Sequence, residues 1–254
     1  MRGHRGGSAL GLAACLAAAA LLPGAAFACG APARTIGVAP GENVGGNAPG
    51  FAQLDLRDKE VVLTFDDGPE PSTTPAVLDA LRASCAPATF FVLGGPAEDH
   101  PAIVKREVAE GHAVGSHTYS HSDLSDAPFE AATRDITEGY LPVKAAGVQP
   151  ILFRFPQLAS SEPLLTWLGE HGMTAIGADI DPNDWAGDPP RETLARLKDQ
   201  LREKGRGIII LHDNQPNTAK LLPDLLAFLS SEGYSIVRLV GGPASHQLAR
   251  GDFR

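Results

Sequence analysis

The chain has 254 residues, 30 of them acidic against 21 basic, for a formal net charge of −9 at pH 7. An acidic chain with no basic run is a poor match for nucleic acid or an anionic membrane surface, so neither is expected as a partner. Its hydrophobic fraction of 43% and its length suit one large domain with a substantial core.

In chain order, residues 1–28 are expected to be a secretory signal peptide. Arg2 and Arg5 precede an apolar run from Ala9 to Leu22, and Ala26-Phe27-Ala28 has the small-x-small pattern that signal peptidase cuts after. The run is too short and alanine-rich for a membrane span, and no later stretch is long enough to cross a bilayer. The expected location is therefore exported, periplasmic or secreted. A lipoprotein variant of this reading would lipidate Cys29, although Ala26 stands where that motif usually has leucine. Of the three cysteines, Cys15 leaves with the signal, while Cys29 and Cys85 could pair in an oxidising compartment. No cysteine spacing suggests a thiolate metal site.

Residues 29–57 form an expected N-terminal arm, extended and poorly ordered through its glycine- and proline-rich stretch 31–50. Its glycines lack the Gly-Lys-Ser/Thr ending of a phosphate loop, so no nucleotide site is inferred. A catalytic domain is expected over 58–240, with a tail over 241–254. In that domain apolar, β-branched runs predict strands at Val61–Phe65, Thr89–Leu93, Ala113–Ser116, Ile151–Arg154, Thr174–Ala178, Ile208–Leu211 and Ser235–Leu239. Helix-period segments fall between them at 73–84, 101–110, 128–146, 162–171, 190–204 and 218–231. Asp188 is placed to cap a helix starting at Pro189, and Gly111, Gly205 and Gly233 stand where a left-handed stop is wanted. Strand–helix alternation implies a parallel sheet, so the predicted fold is α/β, a distorted (β/α) barrel with about seven parallel strands. An open doubly wound sheet would show the same alternation.

The unusual polar residues gather at one edge of this scaffold. Asp66 and Asp67 follow the first strand, His117 the third, Arg154 ends the fourth, Asp179 to Trp185 follow the fifth, and His212 the sixth. All are C-terminal strand ends, where parallel α/β folds assemble their sites. His117 and His121, four residues apart, can aim two imidazoles at one ion, and Asp67 completes a two-histidine, one-carboxylate set with open positions. A lone His-x-x-x-His is as often a pair of loop histidines. The adjacent acids serve one site only if the chain bends there, which Gly68 would permit. One acid on the metal and its neighbour free puts a Lewis acid beside a general base. Arg154 would hold Asp66 ionised, Asp184 would orient a histidine, Trp185 would wall the pocket, and His212 would be the general acid. His100, His112 and His171, beside helix ends, are expected to be structural.

Five blocks in order carry a closer likeness: TFDDG at 64–68, HTYSH at 117–121, RFP at 154–156, DW at 184–185 and LHD at 211–213. Together they resemble the polysaccharide deacetylases of carbohydrate esterase family four, the NodB homology domain, over about residues 58–240. The resemblance implies a divalent ion, zinc first with cobalt, nickel or manganese as alternatives, on Asp67, His117 and His121. It implies Asp66 as catalytic base, Arg154 as its partner, His212 as acid and Asp184 as the residue that tunes it. Gln157, Trp185 and Leu211 are the expected substrate contacts. Gln157 departs from the family, which commonly has an aromatic residue there, yet its backbone N–H can still face an oxyanion. The implied activity is removal of N-acetyl, or O-acetyl, groups from an extracytoplasmic polysaccharide such as peptidoglycan or a chitin-like oligosaccharide. A deacylase of small non-sugar amides and a catalytically silent carbohydrate-binding protein are the alternatives. An iron oxygenase would leave Asp66, Arg154 and His212 without a duty. The oligomeric state stays open.

Overall fold

The computed structural model describes Met1, Gly3 and residues 34–242. The rest of the expected signal peptide, Cys29 and the tail after Gly242 lie outside the described residues. Cys85 is disulfide-bonded, and its expected partner Cys29 falls in the part not described. In chain order the elements are β1 (Thr35–Val38), β2 (Glu60–Asp66), α1 (Thr74–Ala83), β3 (Thr89–Val92), α2 (Gly94–Asp99), α3 (Pro101–Ala109), β4 (Ala113–Ser116), α4 (Phe129–Ala145), β5 (Leu152–Phe153), α5 (Glu162–Glu170), β6 (Thr174–Ala175), α6 (Pro190–Lys204), β7 (Gly207–His212), α7 (Pro216–Ser231), β8 (Ser235–Ile236) and β9 (Arg238–Gly241).

The main sheet runs β6-β5-β4-β3-β2-β7, with β8 added to β2. Every pairing in it is parallel. The sheet curls into a half-barrel, and after β6 the chain crosses to β7, where Ile180 bridges Ile209. All seven residues of β2 are buried, as befits a parallel strand covered on both faces. Its odd-numbered residues Val61, Leu63 and Phe65 pack under the helices. Val62, Phe91, Ala113, Leu152, Ile176 and Ile208 fill the inside of the curl. The helices answer with apolar stripes, such as Leu221, Leu222, Leu225 and Leu229 of α7. Among the described residues, no helix is long and apolar enough to cross a membrane.

Three expectations are corrected. From Arg34 onward the arm is docked rather than loose. β1 pairs in parallel with β9, and Val38, Val44 and Leu56 join the inner core. Its glycines mark close approach, not disorder: a Cβ on Gly177 would collide with the Gly45 carbonyl, and Gly45 and Gly46 sit at φ of 90° and 73°. Second, the strand expected over Ser235–Leu239 is split. β8 extends β2 at its start, and beyond Val237 the chain leaves the barrel to form β9 beside β1. Third, α6 begins at Pro190 with Pro189 as its cap, so Asp188 does not cap it and instead meets Arg196 at 2.8 Å. Helix α2 was not predicted.

Candidate metal centre and active site

Strand parity builds the site. Across the β2–β7 pairing Asp66 lies opposite His212, two residues above Thr64 and Ile210 and four above Val62 and Ile208. Side chains two apart share a face, so Asp66 and His212 top the inward-facing columns whose lower members form the inner core. Asp67, next in sequence, would point away. It reaches the same cavity because its own φ is 73°, a left-handed conformation that aspartate tolerates better than most residues. The bend is therefore at Asp67 and not, as expected, at Gly68. Gly68 serves another purpose, because a Cβ there would strike the Asp213 carboxylate.

The histidine loop leaves β4 and is held from below by α4. His117 Nδ1 lies 2.8 Å from the Arg154 carbonyl, so that nitrogen donates and the Nε2 lone pair faces the cavity. Thr118 and His121 both adopt positive φ, and the His121 N–H donates to Thr118 Oγ1 at 3.0 Å. Asp135 of α4 accepts the backbone N–H groups of Tyr119 and Ser120 at 3.2 and 3.1 Å. The result brings His117 Nε2 and His121 Nε2 to 3.4 and 3.2 Å from Asp67 Oδ1. Asp67, His117 and His121 each offer a donor atom within 4.8 Å of the others, a possible metal-binding triad. Asp67 Oδ1 is buried with no hydrogen-bond partner. Burial would raise its pKa, but the neighbouring imidazoles, His117 first and then His212 and His121, hold it below the ordinary carboxylate value. An orphaned carboxylate oxygen between two imidazole nitrogens fits a divalent cation, and the N/O donor set suits zinc and its neighbours.

Two further assemblies flank the triad. Arg154 is wholly buried, yet its guanidinium is satisfied by Asp66 Oδ1 at 2.8 Å, Thr64 Oγ1 at 2.7 Å, the Ile176 carbonyl at 3.1 Å and the Gly177 carbonyl at 2.9 Å. It also lies 4.2 Å over the Phe91 ring. Burial lowers its pKa against the pull of Asp66. On the other side His212 Nδ1 meets Asp184 Oδ1 at 2.7 Å, while Asp184 Oδ2 accepts the His212 N–H and the Thr218 hydroxyl. Burial would depress His212, but the hydrogen bond and charge of Asp184, with Asp66 and Asp67, push it up to about 9.

A cavity of about 520 Å³ joins these groups, lined by Asp66, Asp67, both loop histidines, His212, Gln157 and Trp185. Trp185 is 56% exposed, which makes it a rim rather than a core indole. Leu211 is corrected: it is fully buried in the core under the helices, and Ile210, one residue away and of opposite parity, lines the cavity instead. Phe155, Leu158 and Asp181 also line it and were not singled out from the sequence. Asp181 lies three residues before Asp184, and that spacing in the stretch after the fifth predicted strand is its signal in the sequence. His112 is buried with Nδ1 accepting the Ala88 N–H, and His171 stacks on Trp167, both away from the triad.

Comparison with known proteins agrees with this geometry. The family model described as polysaccharide deacetylase matches residues 53–176. A chitooligosaccharide deacetylase of Sinorhizobium fredii is 37% identical over 171 residues, covering 66% of this chain and 75% of that protein. A peptidoglycan deacetylase of Bdellovibrio bacteriovorus superposes with a TM-score of 0.75 at 31% identity, over 84% of this chain and 60% of the other. A family 4 carbohydrate esterase from Streptomyces lividans, solved with acetate, gives 0.63 at 28% identity over 70% and 91%.

Proposed function

The chain belongs to the polysaccharide deacetylase family, the family 4 carbohydrate esterases, and from that premise we propose that it is a metal-dependent hydrolase. It removes N-acetyl groups from an extracytoplasmic polysaccharide, peptidoglycan or a chitin-like oligosaccharide, after export by a signal peptide over 1–28. The proposed organisation is that leader, an arm over 29–57 whose part from Arg34 onward packs against a catalytic domain over 58–240, and a short tail. The observation that carries the reading is the unpartnered Asp67 Oδ1 between two imidazole nitrogens, beside a second carboxylate that Arg154 holds separately.

Asp67, His117 and His121 would hold the ion, zinc first among divalent candidates. When bound there, it supplies Lewis acidity toward the acetyl carbonyl and acidifies a water. Asp66 is the base. Its Oδ1 is occupied by Arg154, and its Oδ2, 3.8 Å from His117 Nε2, is left to take a water proton. The Gln157 N–H faces the oxyanion. With Nδ1 engaged by Asp184, His212 presents Nε2 to the cavity and is protonated at neutral pH, ready to give its proton to the departing nitrogen. Water adds its hydroxyl to the acyl carbon, the C–N bond breaks, and acetate and a free amine leave.

The test is acetate release by the purified chain from chitin oligomers, peptidoglycan and acetylated xylan, with and without chelator. Chelation should abolish release and zinc restore it, and Asp66→Asn should lower kcat by about 100- to 10,000-fold. Activity that survives both complete metal removal and Asp67→Ala would sink the reading.

A further inference from the structure

After Ile180, whose carbonyl accepts the Ile210 N–H at 3.0 Å, the chain leaves the sheet and forms the loop that carries Asp184 and Trp185 into α6. Among the described residues, positions 181–188 make no backbone–backbone hydrogen bond to another element. The loop turns on Asn183 and Gly187, left-handed at φ of 53° and 83°, on either side of Asp184-Trp185-Ala186. Asparagine and glycine suit that conformation, so the turn forms easily, but its backbone does not tie it to the sheet. Side chains of two helices do that instead. Gln200 Nε2 donates to the Asp181 carbonyl at 2.8 Å, and Asn217 Nδ2 to the Asp188 carbonyl at 3.0 Å. Arg196, one turn before Gln200 on the same face of α6, reaches both limbs of the loop. Its Nε donates to the Pro182 carbonyl at 3.0 Å on the way in, and its Nη2 meets Asp188 Oδ2 at 2.8 Å on the way out.

We propose that Arg196 is a positioning residue for the acid step, a staple that closes the two limbs of this loop and so keeps Asp184 on His212. The inference rests on the deacetylase reading above and adds a residue outside its five sequence blocks. Asp184 lies between the two stapled points, and its carboxylate has to satisfy several partners at once. Oδ1 meets His212 Nδ1 at 2.7 Å, while Oδ2 accepts the His212 N–H at 2.8 Å and the Thr218 hydroxyl. A group with such duties works only when held to within about 0.5 Å of its place. The guanidinium suits the task because its nitrogens are fixed in one plane, so its hold on one limb aims its hold on the other. Arg196 does not line the catalytic cavity, and it acts on the chemistry through Asp184.

Three variants test this on the glycan from which the wild-type chain releases acetate. Arg196→Ala should lower kcat about tenfold with KM within about twofold, because the acid acts in the transition state and not in binding. Arg196→Lys, whose ammonium can hold only one limb, and Asp188→Asn, which weakens one limb, should each lower kcat about threefold. In an Asp184→Asn background Arg196→Ala should cost less than about twofold more, since the group it positions is gone. The His212 Nδ1–H proton, held by Asp184, should resonate far downfield in wild type and shift upfield or broaden in Arg196→Ala. That NMR signal decides if the Asp184→Asn background is too slow to measure. Thermal unfolding checks each variant, and if Arg196→Ala does not fold, Asp188→Asn decides. An unchanged kcat in the folded variants, an equal loss in the Asp184→Asn background, or an unmoved Nδ1–H resonance overturns the staple and leaves the deacetylase reading standing. A wild-type chain that releases acetate from no glycan overturns both.

Discussion

At the residue scale the most exacting arrangement is the buried pair of Asp66 and Arg154. Both are almost without exposure, and the guanidinium meets four acceptors and an aromatic face. Charges so desolvated are tolerated only while paired. Arg154→Met should therefore destabilise the fold by about 3–5 kcal/mol, because it leaves Asp66 buried and uncompensated. Adding Asp66→Asn should recover part of that loss, because no buried charge is then left unpaired. Chemical denaturation of the two single variants and the double variant measures the coupling, and a double variant no more stable than Arg154→Met would contradict the pairing argument. Parity explains which residues could be found beforehand. Asp66 and His212 continue inward columns of buried residues, so strand periodicity alone aims them at one rim. Adjacency misleads at Leu211: it sits beside His212 in sequence, where parity sends it to the opposite face. Thr218, which donates to Asp184, carried no usable signal: a threonine in the first turn of a helix looks like local capping, and its acceptor lies 34 residues earlier.

At the scale of elements, α4 is what brings two histidines four apart into position for the proposed metal. Asp135 accepts the Tyr119 and Ser120 N–H groups, and the Ser120 hydroxyl at 2.9 Å. Gly139, one turn on, lets the helix backbone touch Thr118, since a Cβ there would overlap the Thr118 carbonyl. The loop is thus pressed against the helix with Thr118 and His121 in left-handed conformations that it would not keep alone. Asp135→Ala should leave the fold intact and weaken metal affinity about 10- to 100-fold, as loss of a group supporting the ligands does. Competition with a chromophoric chelator reads this directly, and an unaltered affinity would mean the loop needs no such anchor. The helix itself was predicted over 128–146 from its period. Its role was not, because an aspartate on the less apolar side of a helix resembles a solvated face. Helix α2 escaped for a related reason. Its opening Gly94-Gly95 has a loop's composition, but Gly94 is there to pass Gly139, whose Cα a Cβ on Gly94 would meet at 2.7 Å.

At the scale of the whole molecule, strand–helix alternation implies a parallel α/β sheet with candidate site residues at the C-terminal strand ends, and leaves open whether the sheet curls or stays flat. It could not foresee how the other end is covered. That cover comes from β1 and β9, which lie outside the alternation and pair across roughly two hundred residues of sequence. Stability of the assembled molecule should also carry a pH signature from its buried titratable groups. His112 is pushed down to about 4, first by burial and then by Arg238 and Arg106. Its Nδ1 accepts the Ala88 N–H at 3.2 Å, a role open only to the neutral ring. The unfolded chain takes up a proton near the ordinary value of 6.5, and the folded one does not until about 4. The contribution of His112 is therefore complete above 6.5 and is lost as pH falls toward 4. Glu107, raised by burial and then by Asp213, and Asp213 itself, raised by burial to about 7, act in the opposite sense, losing stability as pH rises. The opposing trends mask one another in the wild-type curve, so the measurement must be a difference. His112→Asn keeps an acceptor for the Ala88 N–H and removes the titration. Urea unfolding of both proteins should show wild type losing on the order of 3 kcal/mol more than the variant between pH 7 and pH 4. Parallel curves over that range would place the His112 proton elsewhere.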